Sequence, residues 1–408
     1  MLNRTVKAAV VVMAGALALA ACGTNKTESG GGGSASCDTS KGTLTVGVIA
    51  PLTGSLAALG LGIQHSAELA VAEANDKCTV KGYKLALDAE DDQATPQTGA
   101  QAATKLSSDS NVVGVVGTLN SSVAQTVQPI LAGKKVVQIS PANTNPSLTK
   151  GDDLNNPKRQ FATYFRVCTT DNYQGPDAAD YLVKKAGKKK IAIIQDGKTY
   201  GAGLAAAFAA RAKTDGADIV DQEQVGEKDT DFSGVLTKVK AANPDGIYYG
   251  GEYPVAGPLS KQAASLGLNV PVMGGDGIFD PKFIDLGGKE GDLATSVGAP
   301  VESLDSAKDF VKAYAAKGYK DPYAAYGAFS YDAANAIIAS LATTLGDSGT
   351  WADTQRDKLL TNVGSYKANG ATGAVAFDQY GDSTNKVLTV YQVTGGAWKP
   401  VQTGAFEG

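Results

Sequence analysis

The chain predicts an α/β fold of two doubly wound parallel-sheet lobes, and three observations carry that expectation. Short Val/Ile/Leu runs alternate with Ala-rich amphipathic stretches, so the apolar period switches back and forth between strand and helix spacing. The alternation occurs twice, one series ending near "KVVQI" and the other beginning at "KIAIIQD". With 408 residues, 43% hydrophobic and 19% charged, the chain can fill two cores of ordinary domain size.

In the first series, "TLTVGVIA", "KLALDAE", "NVVGVVG" and "KVVQI" read as strands, separated by helical patterns over about 56–75, 96–108 and 122–132. "TYFRV" follows as a further strand. The second series runs "KIAIIQD", a helix over about 203–215, "ADIVDQEQV", a helix over about 232–242, "DGIYYGG", a helix over about 256–266, and "VPVMGG". Such βαβ repetition builds a parallel sheet wrapped by helices. Helical segments after Leu304 and strands at "KVLTVYQV" and "AWKPVQ" close the chain.

The N-terminus reads as a targeting segment. "MLNRTVK" supplies positive charge, "AAVVVMAGALALA" an apolar core short for a membrane span, and "LAAC" a small-residue cleavage site ending on cysteine. This resembles a bacterial lipobox, which makes residues 1–21 a lipoprotein signal peptide and Cys22 the lipidated first residue. Residues 22–42, with their Gly/Ser-rich run, then form a flexible tether. The full chain carries 37 basic and 41 acidic residues, net −4, and removal of Arg4 and Lys7 with the signal takes it to −6. No Lys/Arg cluster beyond Lys188–Lys190 offers a nucleic acid the positive surface it requires. With Cys22 assigned to lipid, an oxidising compartment permits one disulfide among the other three cysteines. Cys37, before the first strand, and Cys78, after the first long helix, are the expected pair. Cys168 is expected to be a buried thiol.

Enzymatic constellations are poorly supplied. The only histidine, His65, lies on a helical stretch, and any Ser-His-Asp or Cys-His arrangement would have to pass through it. "GAGLAA" loosely fits a dinucleotide fingerprint, but "DGKTY" separates it from the strand where the phosphate turn should begin. No P-loop, HExxH or Cys/His metal spacing occurs. Neither a cofactor nor a metal is expected.

In open parallel sheets, ligands bind outside the carboxyl ends of the strands. The loops there are "APLTGSLAALG", "GTLNSSVAQ", "SPANTNP", "DGKTYGAG", "GGEYP" and "GGDG". Two of them place an acid, Glu252 or Asp276, directly after a double glycine.

These segments, together with "FRVCTTDNYQG", occur in the order found in the branched-chain amino-acid binding proteins of ABC transporters, the type I periplasmic binding proteins. The chain resembles that family from about Thr43 to Gln402. The resemblance implies two lobes, 43–166 plus 301–376 and 167–300 plus 377–408. Three crossings join them, and they close on a small ligand like a hinge. It further implies a monomer on the outer face of the cytoplasmic membrane, working with ABC permease and ATPase subunits. A sensory receptor of the same fold, for an amino acid, amide or other small polar ligand, is the alternative.

Carried over by position, the resemblance puts Ser121, Ala142 and Thr144 at the ligand α-carboxylate and part of its ammonium. Asp276 is placed at the ammonium, and Tyr200 at the aromatic that closes over the ligand. Leu59, Leu119, Asn120 and Phe329 are candidate pocket walls. The residues support this independently: Ser121 and Ser122 at a helix start offer donors to an anion, and a desolvated carboxylate suits a cation. Glu252 departs from the pattern, because the leucine-binding members carry an aromatic there. An extra carboxylate in a dry cleft requires compensation. Either the ligand supplies it, or a cation such as Lys198 does, or Glu252 instead caps the helix beginning near Pro254.

Overall fold

The structure, a computed structural model, describes residues 37–407. The signal segment, Cys22 and the tether up to residue 36 lie outside the described residues. Strands β1 (Thr43–Ala50), β2 (Lys84–Asp91), β3 (Val112–Gly117), β4 (Val137–Ser140) and β5 (Tyr164–Arg166) form the first sheet. Their order is β2-β1-β3-β4-β5, and every pairing is parallel. The second sheet starts with β6 (Lys190–Gln195), β7 (Asp218–Gln224), β8 (Gly246–Gly250), β9 (Val272–Gly274) and β10 (Leu293–Ser296). After a small antiparallel pair, β11 (Lys367–Gly370) with β12 (Gly373–Ala376), it is completed by β13 (Val387–Thr394) and β14 (Ala397–Ala405). Its order is β14-β13-β10-β9-β8-β6-β7, the last two strands of the chain being added antiparallel at one edge.

Position in the sheet explains the composition of each strand. Every residue of β3 and β8 is buried, because helices cover both faces of an interior parallel strand, and both strands are apolar runs. The edge strands β2 and β7 are largely half-buried and carry charges, which discourage pairing with another chain. The series β7-β6-β8-β9-β10 repeats the order β2-β1-β3-β4-β5. Each lobe therefore has its own switch point, between β1 and β3 in one and between β6 and β8 in the other, where loops diverge and leave a crevice.

The chain passes from the first sheet to the second after β5 and leaves it after β10 for the helix Gly327–Leu345. That helix packs on the first-sheet helix Ala57–Asp76. It returns to the second sheet at β13. Arg166, at the end of β5, is fully buried at the first crossing and pairs at 2.8 Å with Asp382, which lies on the third. Cys37 and Cys78 are disulfide-bonded with Cα atoms 5.5 Å apart, and Cys168 is a buried free thiol.

Two elements differ from the sequence expectation. The helix expected from about 203 begins at Thr199, because the loop glycines Gly201 and Gly203 belong to its first turn. The helix Asp171–Ala179, continued by one π turn over Asp180–Lys185, follows β5, where the sequence shows no clear apolar period. Among the described residues, no helix is long and apolar enough to cross a membrane.

Candidate functional site

The loops after β3 and β4 are locked together by side-chain bonds to backbone. Ser140 Oγ donates to the Thr118 carbonyl at 2.9 Å and accepts from the Ala142 and Asn143 amides at 3.1 and 2.8 Å. Asn143 Nδ2 donates to the Leu119 carbonyl at 2.8 Å. Arg166 fixes the far end of the second loop by donating to the Asn143 and Asn145 carbonyls and to Thr149 Oγ1. Leu119, Asn120, Ser121 and Ala142 are thereby presented at the carboxyl ends of neighbouring strands. Ser121 opens the helix Ser121–Gly133; the Val123 and Ala124 amides bond back to the Asn120 carbonyl, and the Ser121 and Ser122 amides have no backbone acceptor among the described residues.

On the second lobe the double glycines serve close packing. A Cβ on Gly250 would stand 2.2 Å from the Gly201 carbonyl oxygen, and one on Gly201 would stand 2.4 Å from that of Gly250. The first turn of the helix Thr199–Thr214 thus rests directly on the end of β8. A Cβ on Gly275 would meet the Tyr200 hydroxyl at 2.5 Å, so the glycine before Asp276 makes room for the ring that binds it.

Asp276 is 1% exposed and held by three neutral donors. Tyr200 OH and Gln174 Nε2 donate to Oδ1 at 2.8 and 3.0 Å, and Tyr326 OH donates to Oδ2 at 2.8 Å. Burial raises its pKa even though these three bonds favour the ionised form. Tyr326 comes from the first lobe and the other two donors from the second, so the carboxylate is held from both sides of the cleft. Further bonds cross between the lobes: Asn145 Nδ2 to the Thr199 carbonyl at 2.8 Å, Thr199 Oγ1 to Gln125 Oε1 at 3.0 Å, and Tyr253 OH to the Ser55 carbonyl at 2.5 Å.

Glu252 occupies the N-cap position of the helix Tyr253–Ser265, but its side chain makes no capping bond. One carboxylate oxygen accepts from Asn120 Nδ2 across the cleft, and the other pairs with Lys198 at 3.2 Å. Lys198 also holds Glu227 at 2.7 Å. Burial pulls the Lys198 pKa down, but Glu252 and Glu227 outweigh it and keep the ammonium charged. Compensation for Glu252 therefore comes from Lys198, with the carboxylate serving as part of an interlobe contact.

A small cavity of about 20 Å³ lies between the lobes at this point. Eight of the ten ligand residues expected from sequence line it: Leu59, Leu119, Asn120, Ser121, Ala142, Tyr200, Glu252 and Asp276. Thr144 is fully buried against Asp171, whose amide donates to its carbonyl at 2.9 Å, and does not reach the wall. Phe329 is not part of it either. One turn into its helix, Phe329 faces a separate cavity of about 500 Å³ with Tyr323, Tyr391 and Trp398, and Tyr326 takes the position on the cleft. Tyr326 and Gln174 escaped the sequence reading. The "AAYGAFSY" stretch has three aromatics within six residues and no local feature that says which one faces inward. Gln174 bears on the site through bonds to the side chain and backbone amide of an acid 102 residues away.

Residues 43–397 match the family model described as periplasmic binding protein. The chain belongs to the periplasmic binding protein family. It is 32% identical to a Leu/Ile/Val-binding protein of Rhizobium johnstonii over 86% of this chain and 91% of that one. A Leu/Ile/Val-binding protein homologue of Brucella melitensis is 33% identical over 85% and 93%. Among solved structures, the leucine-binding protein LivK of Thermotoga maritima superposes with a TM-score of 0.77 at 28% identity, covering 88% of this chain and 98% of that one. The branched-chain amino-acid substrate-binding protein LivJ of Streptococcus pneumoniae, solved with isoleucine, gives 0.77 at 27% identity over 89% and 99%. This chain is therefore a binding protein of the branched-chain amino-acid ABC transporter type, an extracytoplasmic and non-enzymatic family with the two-lobed type I fold.

Proposed function

We propose that the protein is the lipid-anchored solute-binding component of an ABC importer, and that it takes a small α-amino acid into the interlobe cleft and delivers it to the permease. One observation carries the ligand assignment. The start of the helix Ser121–Gly133 and the buried Asp276 carboxylate line the same cavity from opposite lobes. A zwitterion needs this pairing: an anion stabilised by free N–H groups and the positive end of a helix, and a cation stabilised by a desolvated acid. A ligand bridging the two poles would hold the lobes together, which is how hinge closure comes to depend on binding. In this reading Ser121 and Ala142 receive the carboxylate, Asp276 receives the ammonium, and Tyr200 covers it. Leu59, Leu119, Asn120 and Glu252 shape the side-chain end.

A thermal-shift screen of the soluble domain, residues 36–408, against the twenty L-amino acids, amides, polyamines and small acids tests the assignment. Ligands that bind only the folded state raise its Tm. Failure of every amino acid to do so, with a hit among another class, would refute it. The anchor rests on "LAAC" followed by the Gly/Ser tether. Cys22→Ser is expected to abolish lipid labelling and release the protein from membranes, and labelling that persists would exclude lipidation at this residue.

A further inference from the structure

A second buried acid stands behind Asp276. Asp171, the first residue of the helix Asp171–Ala179, is 1% exposed, and its Oδ1 accepts from Gln174 Nε2 at 3.1 Å. The same nitrogen donates to Asp276 Oδ1 at 3.0 Å, so one neutral amide spans both carboxylates. The fully buried Thr144 hydroxyl lies beside the Asp171 carboxylate and, with Gln174, is one of the neutral donors that favour its ionised form. The groups facing the pair come from several elements. Tyr200 and Tyr326 donate to Asp276, and Tyr248 on β8 and Cys168 after β5 lie near both acids. Arg166 on β5 is the nearest cation, and it is engaged by Asp382 at 2.8 Å, by two backbone carbonyls and by Thr149.

Two ionised carboxylates in so dry a place, bridged only by neutral donors, repel strongly, and the usual outcome is one shared proton. We infer that Asp171 and Asp276, bridged by the one Gln174 amide, hold a single proton between them until a ligand enters, and that the ligand's cationic group, received at Asp276, replaces that proton, which leaves to solvent. The inference rests on the reading of Asp276 as the ammonium acid. Charge balances in the exchange. With one proton the pair carries a single negative charge; with the proton released to solvent and an ammonium bound, the site again carries one. A neutral ligand cannot make this exchange, so the pair selects for amines. Burial, followed by the Asp276 charge, pushes Asp171 up to about 8, while the Thr144 hydroxyl and the Gln174 amide pull the other way. Below that value each bound amine must displace a proton, and affinity is expected to fall by nearly tenfold for each pH unit.

The test is calorimetric titration of the full soluble domain with the tightest-binding of the twenty L-amino acids. Measurements at pH 5.5, 6.5 and 7.5 in buffers of different ionisation enthalpy report protons released. About one proton per ligand and a roughly 100-fold loss of affinity from pH 7.5 to 5.5 are expected. Asp171→Asn is expected to flatten this dependence while Asp276 still binds the ligand. Flat affinity with no proton release in the wild type would overturn the inference, and that measurement stands alone should Asp171→Asn fail to fold. The infrared carboxyl band of the free protein at pH 6.5, compared with that of Asp171→Asn, needs no ligand. If no amino acid binds but the variant loses a protonated-carboxyl band, the proton pair stands and the amino-acid reading fails. An unchanged band removes the pair.

Discussion

A carboxylate in a closed cleft is informative in proportion to what surrounds it, and the two acids that follow double glycines differ in this respect. Glu252 is balanced by a lysine and touches an amide of the opposite lobe, whereas Asp276 is held only by neutral donors. The second arrangement leaves the charge of Asp276 available to a ligand cation. Asp276→Ala is expected to lose roughly 2–5 kcal/mol of binding energy, about 30- to several-thousand-fold in affinity, as for other buried hydrogen-bonded charge pairs. Calorimetry against the screened amino acid measures the loss, and wild-type affinity in this variant would assign Asp276 a structural role. Glu252→Tyr is expected to leave Lys198 paired with Glu227 while adding an apolar wall. The preference for leucine over asparagine should then rise by about tenfold, close to what one well-placed apolar contact contributes. Competition calorimetry with the two amino acids checks this.

At the scale of elements, the site depends on how closely the helix Thr199–Thr214 can approach the end of β8. Gly250→Ala would force its new methyl against the Gly201 carbonyl, where backbone and not a flexible side chain must yield. A destabilisation of about 1–3 kcal/mol is expected, read as a lower urea midpoint with an unchanged slope. A loss of ligand affinity should accompany it, because Lys198 and Tyr200 move with the helix. Chemical denaturation and titration of the same variant test both. These strand-end glycines were also what made the site legible in the sequence. Alternating apolar runs give the two parallel sheets, the rule that ligands sit beyond strand carboxyl ends selects the loops, and an acid after a double glycine marks where a side chain replaces tight backbone packing. Gln174, Tyr326 and Asp171 could not be found in this way. Each reaches the cleft through contacts between elements distant in sequence, and the helix bearing Asp171 and Gln174 has only a weak apolar period. Phe329 shows the complementary error: an aromatic of suitable type, three residues from the one that faces the cleft.

Across the whole molecule the buried acids set an unusual pH response. Burial, the largest cause in each case, raises Asp171 to about 8, Asp92 to about 7 and Asp196 to about 6. In the unfolded chain all three titrate near the ordinary aspartate value of about 4. A folded pKa above the unfolded one means that the native state binds more protons across the interval. Stability from these groups is therefore fully present at low pH and lost as pH rises, by up to about 1.4 kcal/mol per pH unit for each group still protonated in the fold. Asp382 acts in the opposite sense. Burial alone would raise it, but Arg166 and Lys150 hold it below its usual value, so its contribution is present above about pH 4 and lost on further acidification. The ligand-free protein is thus expected to be most stable near pH 5, and to be less stable at pH 8 by about 2 kcal/mol or more, a drop of a few degrees in Tm. A bound amine reverses part of this trend by supplying the positive charge that the Asp171–Asp276 pair otherwise takes from a proton. The Tm increment produced by saturating amino acid should consequently grow from pH 5 to pH 8, even as the ligand-free Tm falls. Differential scanning calorimetry across that range, with and without ligand, measures both curves. Parallel curves would show that ligand binding and the titration of the buried acids are uncoupled.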